Sequence, residues 1–477
     1  MTEKFISREI FIGNLPLGNG YPVRVQSMTN TPTLNTKATV EQIIRLVEAG
    51  CDIIRITAAN IREAENLKNI RDKLMEKEID IPLIADIHFQ PKAAEIAAGI
   101  VEKVRINPGN YSGSHHKDKQ YSEADYQAEL EQTSQNLKPL LHICKQHNTA
   151  IRIGINHGSL SDRILYRYGN TPRGMVASAL EFIRICRENH FEDLILSLKA
   201  SDVRTMIEAN RFMVREMLKN KMNYPLHLGV TEAGNGTEGR IKSAMGIGTL
   251  LAEGIGNTIR VSLTEAPEKE IPVAQELIEF YGHSQQVSVV QTSYVSYGDI
   301  PENQQSDMVL IDEKKTISPE NSLLLLSYPG LPYNDLVLRA PVDFNLAYEK
   351  KKADGLLLVN GPASNGESLR ELTLQILQAR GLRYSKTEFV ACPSCGRTHF
   401  DIEKELNKVK YRLGNVKGLK IAVMGCFVNG PGEMAGADYG FVGSAPGKID
   451  LYKGQTILFK NLPEEEALNQ LEALIRK

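Results

Sequence analysis

The hydrophobic pattern between Val23 and Tyr281 alternates short β-branched runs with longer amphipathic stretches. Stretches such as VEQIIRLVEAG carry apolar residues three and four apart, which predicts helices. Eight strand-and-helix units in this length predict an α/β fold of the (β/α)8 TIM-barrel type, with an open doubly wound sheet as the alternative. The predicted strands are VRVQSM from Val23, DIIRIT from Asp52, PLIADIH from Pro82, KVRIN from Lys103, AIRIGIN from Ala150, LILSLK from Leu194, PLHLGV from Pro225 and TIRVSL from Thr258.

The pattern changes twice after the barrel units, and 477 residues are too many for one compact core. We predict a TIM-barrel substrate-binding domain over 1–281 and an inserted module over 282–367. The module combines short strands and turn residues with little helical period, so its pattern predicts no particular fold. Residues 368–477 alternate strands and helices and predict a separate α+β domain, which the amphipathic helix LRELTLQILQARGL introduces.

Composition narrows the classes of partner. The chain has 56 basic and 58 acidic residues, so its net charge of −2 gives no reason to expect nucleic acid or a membrane surface. The N-terminal stretch lacks the apolar core of a signal peptide, and no run reaches transmembrane length. Six cysteines in so long a chain do not make a disulfide scaffold, which predicts a reducing, cytoplasmic location. Cys51, Cys144 and Cys186 lie among apolar residues and are expected to be inert core thiols.

Polar side chains recur at the carboxyl ends of the predicted strands. Side chains two apart on a strand share a face, and active sites of TIM barrels lie at this end. Several cations with few acids to neutralise them predict an anionic ligand, and a diphosphate suits guanidinium groups. Glu232, in GVTEAG, is a further candidate for this mouth. The polar pairs and sets are Arg55 with Thr57, Asp86 with His88, Arg105 with Asn107, Arg152 with Asn156, Ser197 with Lys199, and Arg260 with Ser262.

Three cysteines near the C-terminus have the spacing of a soft-metal site. Cys392 and Cys395 lie in CPSCGRT, and Cys426 opens the loop of MGCFVNGPGE. Three thiolates are one short of the set that usually holds a [4Fe–4S] cluster, and Glu433 could supply an oxygen ligand. Spacing alone leaves open a zinc site with His399 as fourth ligand, or plain buried thiols. The NGPG turn favours the cluster, because its backbone N–H groups can approach cluster sulfurs.

These segments, in this order, strongly resemble the hydroxymethylbutenyl diphosphate synthase family of the non-mevalonate isoprenoid pathway. The resemblance covers 5–281 and 368–477, and it implies a barrel joined to a C-terminal [4Fe–4S] domain similar to those of sulfite reductases. It makes Cys392, Cys395, Cys426 and Glu433 the cluster ligands and places Asn429 near the unique iron. The matching segments are VRVQSMTN, RIT, DIHF, KVRINPGN, SLKASDV, HLGVTEAG, CPSCGRT and MGCFVNGPGE. The residues that match diphosphate-binding positions are Arg55, Arg105, Asn107, Arg152, Asn156, Lys199, Arg260 and Ser262, with Asp86, His88, Thr231 and Glu232 as further mouth positions.

The resemblance also implies an activity. Such an enzyme converts 2-C-methyl-D-erythritol 2,4-cyclodiphosphate to 4-hydroxy-3-methylbut-2-enyl diphosphate with two electrons, delivered through the cluster by ferredoxin or flavodoxin. Glu433 would be the ligand that substrate displaces, and Glu232, Asp86 or His88 would supply a proton. In the family, the cluster domain of one subunit closes over its partner's barrel, which predicts a homodimer. The 282–367 module resembles a shortened form of an extra domain that some members carry.

Two rival functions are consistent with parts of the pattern. One is a barrel hydrolase or transferase that acts on phosphorylated metabolites and carries a structural zinc. The other is an iron–sulfur electron carrier without enzyme activity. The polar barrel mouth argues against the second, because a pure carrier needs no anion pocket.

Overall fold

A barrel of parallel strands is the largest unit of this computed structural model, which describes residues 5–88, 90–111, 120–282, 291–305, 307–361, 366–426, 432, 434 and 436–476. The strand order is β8-β7-β6-β5-β4-β3-β10-β9, and a parallel bridge between Leu196 and Leu226 joins the two outer strands. The TIM barrel is therefore confirmed. After the hairpin β1 (Ile10–Ile12) and β2 (Leu15–Leu17), the barrel strands are β3 (Arg24–Met28), β4 (Ile53–Thr57), β5 (Leu83–Asp86), β6 (Lys103–Ile106), β7 (Ala150–Asn156), β8 (Leu194–Lys199), β9 (His227–Leu228) and β10 (Thr258–Ile259).

Helices cover the outside of the barrel, and polar side chains cap the first turns of five of them. Asn35 accepts a hydrogen bond from the backbone N–H of Ala38, and Asp202 accepts one from that of Thr205. A π-helical turn over Ala244–Gly248 joins α8 to α9. The helices are α1 (Thr36–Glu48), α2 (Ile61–Met75), α3 (Pro91–Ala98), α4 (Glu123–His147), α5 (Asp162–Tyr168), α6 (Pro172–Glu188), α7 (Val203–Lys219), α8 (Gly236–Ser243), α9 (Thr249–Ala252) and α10 (Glu270–Tyr281).

The N-terminal hairpin closes the lower end of the barrel. Its residues Ile10, Ile12 and Leu17 are buried against Ile53 and Ile84, which point inward from the starts of their strands. This apolar plug removes water from the lower end. The polar positions of the same strands lie at the other end, where the loops of a TIM barrel form its binding site.

The inserted module is a small α/β unit. Its sheet has the order β11-β13-β14-β12, in which β13 and β14 are parallel and the two outer strands are antiparallel to them. The strands are β11 (Gln291–Ser296), β12 (Val309–Leu310), β13 (Ser322–Ser327) and β14 (Gly355–Val359), and the helices are α11 (Glu302–Gln305), α12 (Tyr333–Lys350) and α13 (Gly366–Ala379).

Helix α12 is the part of the module that its sequence pattern did not reveal. Pro341 lies inside it, and the preceding YPGLP segment reads as turns, which hides the helical period. The helix packs on the barrel: Phe344 and Asn345 are fully buried, and the Asn345 amide donates to Thr249 Oγ1 of α9 at 3.2 Å. The module is therefore anchored on the barrel wall.

Helix α13 packs against α8 of the barrel and against strands of the module. The division of the chain at residue 368 stays a prediction, and this packing favours a boundary after α13. The C-terminal domain has the strand order β15-β16-β17-β18-β19, parallel over the first three and antiparallel after that. Its elements are β15 (Glu388–Ala391), α14 (Ile402–Leu413), β16 (Lys420–Met424), β17 (Tyr439–Ala445), β18 (Lys448–Lys453), β19 (Thr456–Pro463) and α15 (Glu464–Ile475).

Within the described ranges, no helix combines the length and the apolar character needed to cross a bilayer.

We expect Phe344→Ala to loosen the module from the barrel. Phe344 is fully buried and stacks on Tyr348 with ring centroids 5.3 Å apart. Deleting a buried phenyl ring costs about 3–5 kcal/mol in the free energy of unfolding. Urea unfolding followed by circular dichroism would measure the loss, with Tyr411→Ala as the control because Tyr411 is 92% exposed. Equal stability of the two variants would contradict the anchoring role of α12.

Candidate functional site

Basic side chains from the barrel strands meet at the upper end and line one cavity. Neighbouring strands place Arg105 beside Arg152, and both are almost completely buried. Because alternate residues of a strand point inward, each of these strands delivers a long cation to the same space. The barrel cations that line the cavity are Arg55, Arg105, Arg152, Lys199 and Arg260.

Two buried acids, Asp86 and Glu270, compensate part of this charge. Glu270 of α10 binds Arg260 through both of its oxygens, each at 3.2 Å. Asp86 lies 3.6 Å from Arg105. Burial by itself would raise the pKa of Asp86, but Arg55 and the other nearby cations outweigh burial and hold that pKa well below its usual range. Asp86 is therefore an ionised carboxylate within the cluster.

Arg152 and Lys199 remain poorly compensated. Within the described part of the chain, Nε and Nη1 of Arg152 find no hydrogen-bond partner. Burial, followed by repulsion from Arg55 and Arg105, lowers the pKa of Arg152 well below its usual value. Burial and then Arg152 have the same effect on the pKa of Lys199. Buried cations that depress one another's protonation are stabilised by an anion placed between them.

Two glycines make room for these cations. A Cβ atom at Gly229 would lie 2.6 Å from Lys199 Nζ and 2.8 Å from the carbonyl oxygen of Arg260. A Cβ at Gly154 would collide with the Arg105 side chain, whose Nη2 donates to the Gly154 carbonyl at 3.0 Å. Larger residues here would displace the cations from the cavity.

Three thiols face the cations from the opposite side. Cys392 and Cys426 follow the ends of the neighbouring parallel strands β15 and β16, and Cys395 lies between them on the CPSCG loop. All three line the same cavity as the barrel cations. The backbone N–H of Gly425 donates to Cys392 Sγ at 3.2 Å, a contact typical of cluster-bound sulfur.

The thiol environment fits a metal cluster. Burial, and then Cys426, raises the pKa of Cys392 well above its usual value, so a positive centre is needed to hold it as a thiolate. Among the residues described, no three His, Cys, Asp or Glu side chains surround a point closely enough to hold a single ion. This arrangement does not conflict with a cluster, because each thiolate then binds a different iron. His399, the proposed fourth zinc ligand, is absent from the lining of the cavity.

The C-terminal domain closes over the barrel of its own chain. The backbone N–H of Ala391 donates to the carbonyl of Glu232 at 3.1 Å, which adds β15 to the barrel rim. A Cβ at Gly396 would lie 2.9 Å from the Thr31 carbonyl, and one at Gly432 would collide with the carbonyl of Gly158. In this structure the C-terminal domain covers the barrel of the same chain and not that of a partner, and the homodimer stays a prediction.

Contacts of charged side chains outside the cavity also stabilise this closed arrangement. Lys410 of α14 binds Glu238 and Asn235 of the barrel, each at 2.8 Å. Lys242 of α8 donates to the Phe389 carbonyl at 2.9 Å. Several such contacts between two folded units restrict their relative orientation more than one could.

Most of the predicted site residues meet in this cavity. Glu232 has a left-handed backbone with φ of 51°, a strained conformation that is common at functional positions. Asn107 does not line the cavity; its amide oxygen accepts from the N–H of Gly109 and its nitrogen donates to Ser159. Asn429 and Glu433 lie outside the described residues. The predicted lining residues besides the cations and thiols are Asp86, His88, Asn156, Ser197, Thr231, Glu232 and Ser262.

Arg397 is one of the lining residues that were missed from the sequence. It follows directly after CPSCG, so its proximity to the cysteines could have been deduced. Met28 was also missed; its sulfur accepts a hydrogen bond from Arg55 Nε at 3.0 Å. A methionine at a strand end gives no polar signal to find.

Comparison with known proteins agrees with this geometry. The GcpE TIM-barrel domain matches residues 7–275, and the GcpE protein C-terminal domain matches residues 388–477. Relatives named 4-hydroxy-3-methylbut-2-en-1-yl diphosphate synthase (flavodoxin) align over nearly their whole length. Those of Phocaeicola vulgatus and Parabacteroides distasonis are 39% and 40% identical, each over 98% of this chain and 97% of the relative. That of Protochlamydia amoebophila is 36% identical over 100% of this chain and 96% of the relative. The chain belongs to the GcpE family, the 4-hydroxy-3-methylbut-2-en-1-yl diphosphate synthases.

Proposed function

We propose that this chain reduces 2-C-methyl-D-erythritol 2,4-cyclodiphosphate to 4-hydroxy-3-methylbut-2-en-1-yl diphosphate, an isoprenoid precursor. The observation that carries the proposal is one cavity bounded by barrel cations on one side and by three thiols on the other. A reductive ring opening of a diphosphate requires both a phosphate-binding wall and a redox centre within reach of it. The product is the one that the names of the curated relatives contain.

The cations would bind and orient the diphosphate. Arg152 and Lys199 are the best candidates, because their charges are the least compensated in the cavity. Arg260 is a weaker candidate than its sequence position suggests, since Glu270 already occupies its guanidinium. Arg55, Arg105, Asn156, Thr231 and Ser262 line the same wall and would complete the contacts.

Cys392, Cys395 and Cys426 would hold a [4Fe–4S] cluster, with Glu433 as the fourth ligand. When bound, such a cluster passes electrons one at a time to the substrate. Arg397 forms a hydrogen bond with Cys426, so it would also offset the negative charge of the thiolates. The relatives' name specifies flavodoxin, which makes flavodoxin a better candidate donor than ferredoxin.

The proton that leaves with water must come from a group that is protonated beforehand, such as a carboxylic acid or an imidazolium. Asp86 does not suit this role, because its depressed pKa keeps it ionised at neutral pH. Glu232 and His88 both line the cavity, and Glu232 is the better candidate, because burial and then Arg397 lower the pKa of His88 and leave its ring neutral. The surrounding protein would exclude water, since most of the lining side chains are buried.

We expect Arg152 and Arg260, two arginines of the same wall, to respond differently to substitution by methionine. Arg152→Met removes an uncompensated buried cation, so we expect about 10- to 100-fold weaker binding of the cyclic diphosphate with unchanged or higher thermal stability. Arg260→Met instead leaves Glu270 buried without its partner, which costs about 3–5 kcal/mol of stability. Calorimetric titration and thermal unfolding separate the two. Full affinity in Arg152→Met would show that the anion does not bind there.

The second prediction concerns the metal. Protein purified without oxygen should contain iron and acid-labile sulfide at about four each per chain, as expected for a [4Fe–4S] centre. Cys392→Ser should lose the cluster. Glu433→Ala should retain it on the three thiols and lose turnover with a reduced viologen as donor. Zinc at one per chain, without iron or sulfide, would support the hydrolase alternative instead.

The third prediction follows from closure within one chain. Arg152→Met disables the mouth and Cys392→Ser disables the thiol site, so mixing the two variants tests which barrel each C-terminal domain covers. We expect no recovery of activity in the mixture after joint refolding and cluster reconstitution. If domains closed over partner barrels, mixed dimers would contain one intact site, and up to about a quarter of the unsubstituted activity would return. Light scattering of the active fraction would report its oligomeric state.

A further inference from the structure

Arg397 crosses from the C-terminal domain into the barrel. Its Nη1 lies 2.9 Å from Nδ1 of His88, and its Nη2 lies 3.9 Å from a carboxylate oxygen of Asp86. On its other side it forms a hydrogen bond with Cys426. The Arg397 side chain is only 12% exposed. One guanidinium therefore joins the thiol side of the cavity to the polar pair at the end of β5.

The direction of the hydrogen bond between Arg397 and His88 is fixed by chemistry. A guanidinium carries five N–H donors and no acceptor, so Nδ1 of His88 must accept. Asp86 Oδ2 lies 3.8 Å from the same nitrogen, which is too distant for a hydrogen bond. Burial, followed by repulsion from Arg397, lowers the pKa of His88 well below its usual value, so the ring is neutral. A neutral ring that accepts at Nδ1 carries its proton on Nε2.

We propose that Arg397 is a positioning residue that fixes the tautomer of His88, so that closure of the C-terminal domain turns His88 into an N–H donor at Nε2 for the bound ligand. This inference rests on the proposed function, because it assigns His88 a role toward the anion in the same cavity. Without the guanidinium of Arg397, the carboxylate of Asp86 remains beside Nδ1, with Oδ2 at 3.8 Å. A carboxylate favours a proton on Nδ1, which reverses the tautomer.

The plain alternative is that Arg397 only holds the two domains together. Lys410 provides the comparison, because it also crosses between the domains but binds Glu238 and Asn235, outside the cavity lining. Lys410→Met therefore removes an interdomain contact without touching His88. If Arg397 only holds the domains together, the effect of its removal on kcat does not depend on His88. If it fixes the tautomer, that effect requires His88.

A double-mutant cycle measures that dependence. His88→Gln supplies an amide near the position of Nε2 and has no second ring nitrogen for Arg397 to fix. We expect Arg397→Met to lower kcat about 10- to 100-fold in the unsubstituted protein and less than about threefold in the His88→Gln background. Lys410→Met should change kcat by the same factor in both backgrounds. An equal effect of Arg397→Met in both backgrounds would overturn the proposal.

A second readout does not depend on turnover. In oxidised holoprotein labelled with 15N-histidine, the His88 signals, assigned by their loss in His88→Gln, should report an unprotonated Nδ1 and a protonated Nε2. Arg397→Lys keeps a donor at this position and should preserve that pattern, whereas Arg397→Met should lose it. A protonated Nδ1 in the unsubstituted protein would refute the tautomer assignment. If the unsubstituted protein shows the expected nitrogen shifts but does not turn over the cyclic diphosphate, that result would count against the proposed function and not against the tautomer assignment.

Discussion

The site depends on the burial of several cations at one end of a barrel. Arg152 and Lys199 lie in a space where water is scarce and other positive groups are close, so burial first and neighbouring arginines second lower the pKa of both groups. Such an arrangement costs folding free energy, which the apolar remainder of the barrel must offset. The hairpin plug and the surrounding helices bury enough apolar surface to do so. An anion placed among the cations relieves the repulsion, and this makes the mouth a binding site rather than a structural core.

The two buried acids, Glu270 and Asp86, interact with the cations of the mouth in different ways. Glu270 engages Arg260 through both oxygens, so that arginine is part of the framework of the wall. Asp86 is shared among Arg105, Arg397 and His88 at distances between 3.6 and 3.9 Å, too long for strong pairing with any one of them. A shared carboxylate of this kind orients several side chains and satisfies none completely. The cavity therefore combines a rigid set of contacts with a set that a ligand can rearrange.

Closure within one chain explains the role of the inserted module. It is anchored on the barrel through α12, and α13 leads from it toward β15, which joins the barrel rim beside Glu232. The chain segment that connects the barrel to the C-terminal domain is thus a folded unit fixed to the barrel wall. This limits where the C-terminal domain can lie. Thiols and cations then face each other without a second chain.

The strands of the barrel and the types of residue at its mouth were predictable from the amino-acid sequence. Strand runs, helix periods and the polar pairs at strand ends predicted the barrel and its cationic mouth, because side-chain alternation is a local property. Cys392 and Cys395 form a CxxC pair that Cys426 follows, and this spacing is typical of soft-metal ligands, so it predicted a shared metal site. Tertiary structure alone decided which cations are compensated, since Glu270 lies on a helix that no local pattern connects to Arg260. It also decided the course of α12, where a proline and turn residues conceal the helix, and the closure over the chain's own barrel. These features depend on contacts between residues far apart in the chain, whose pairing no periodicity encodes.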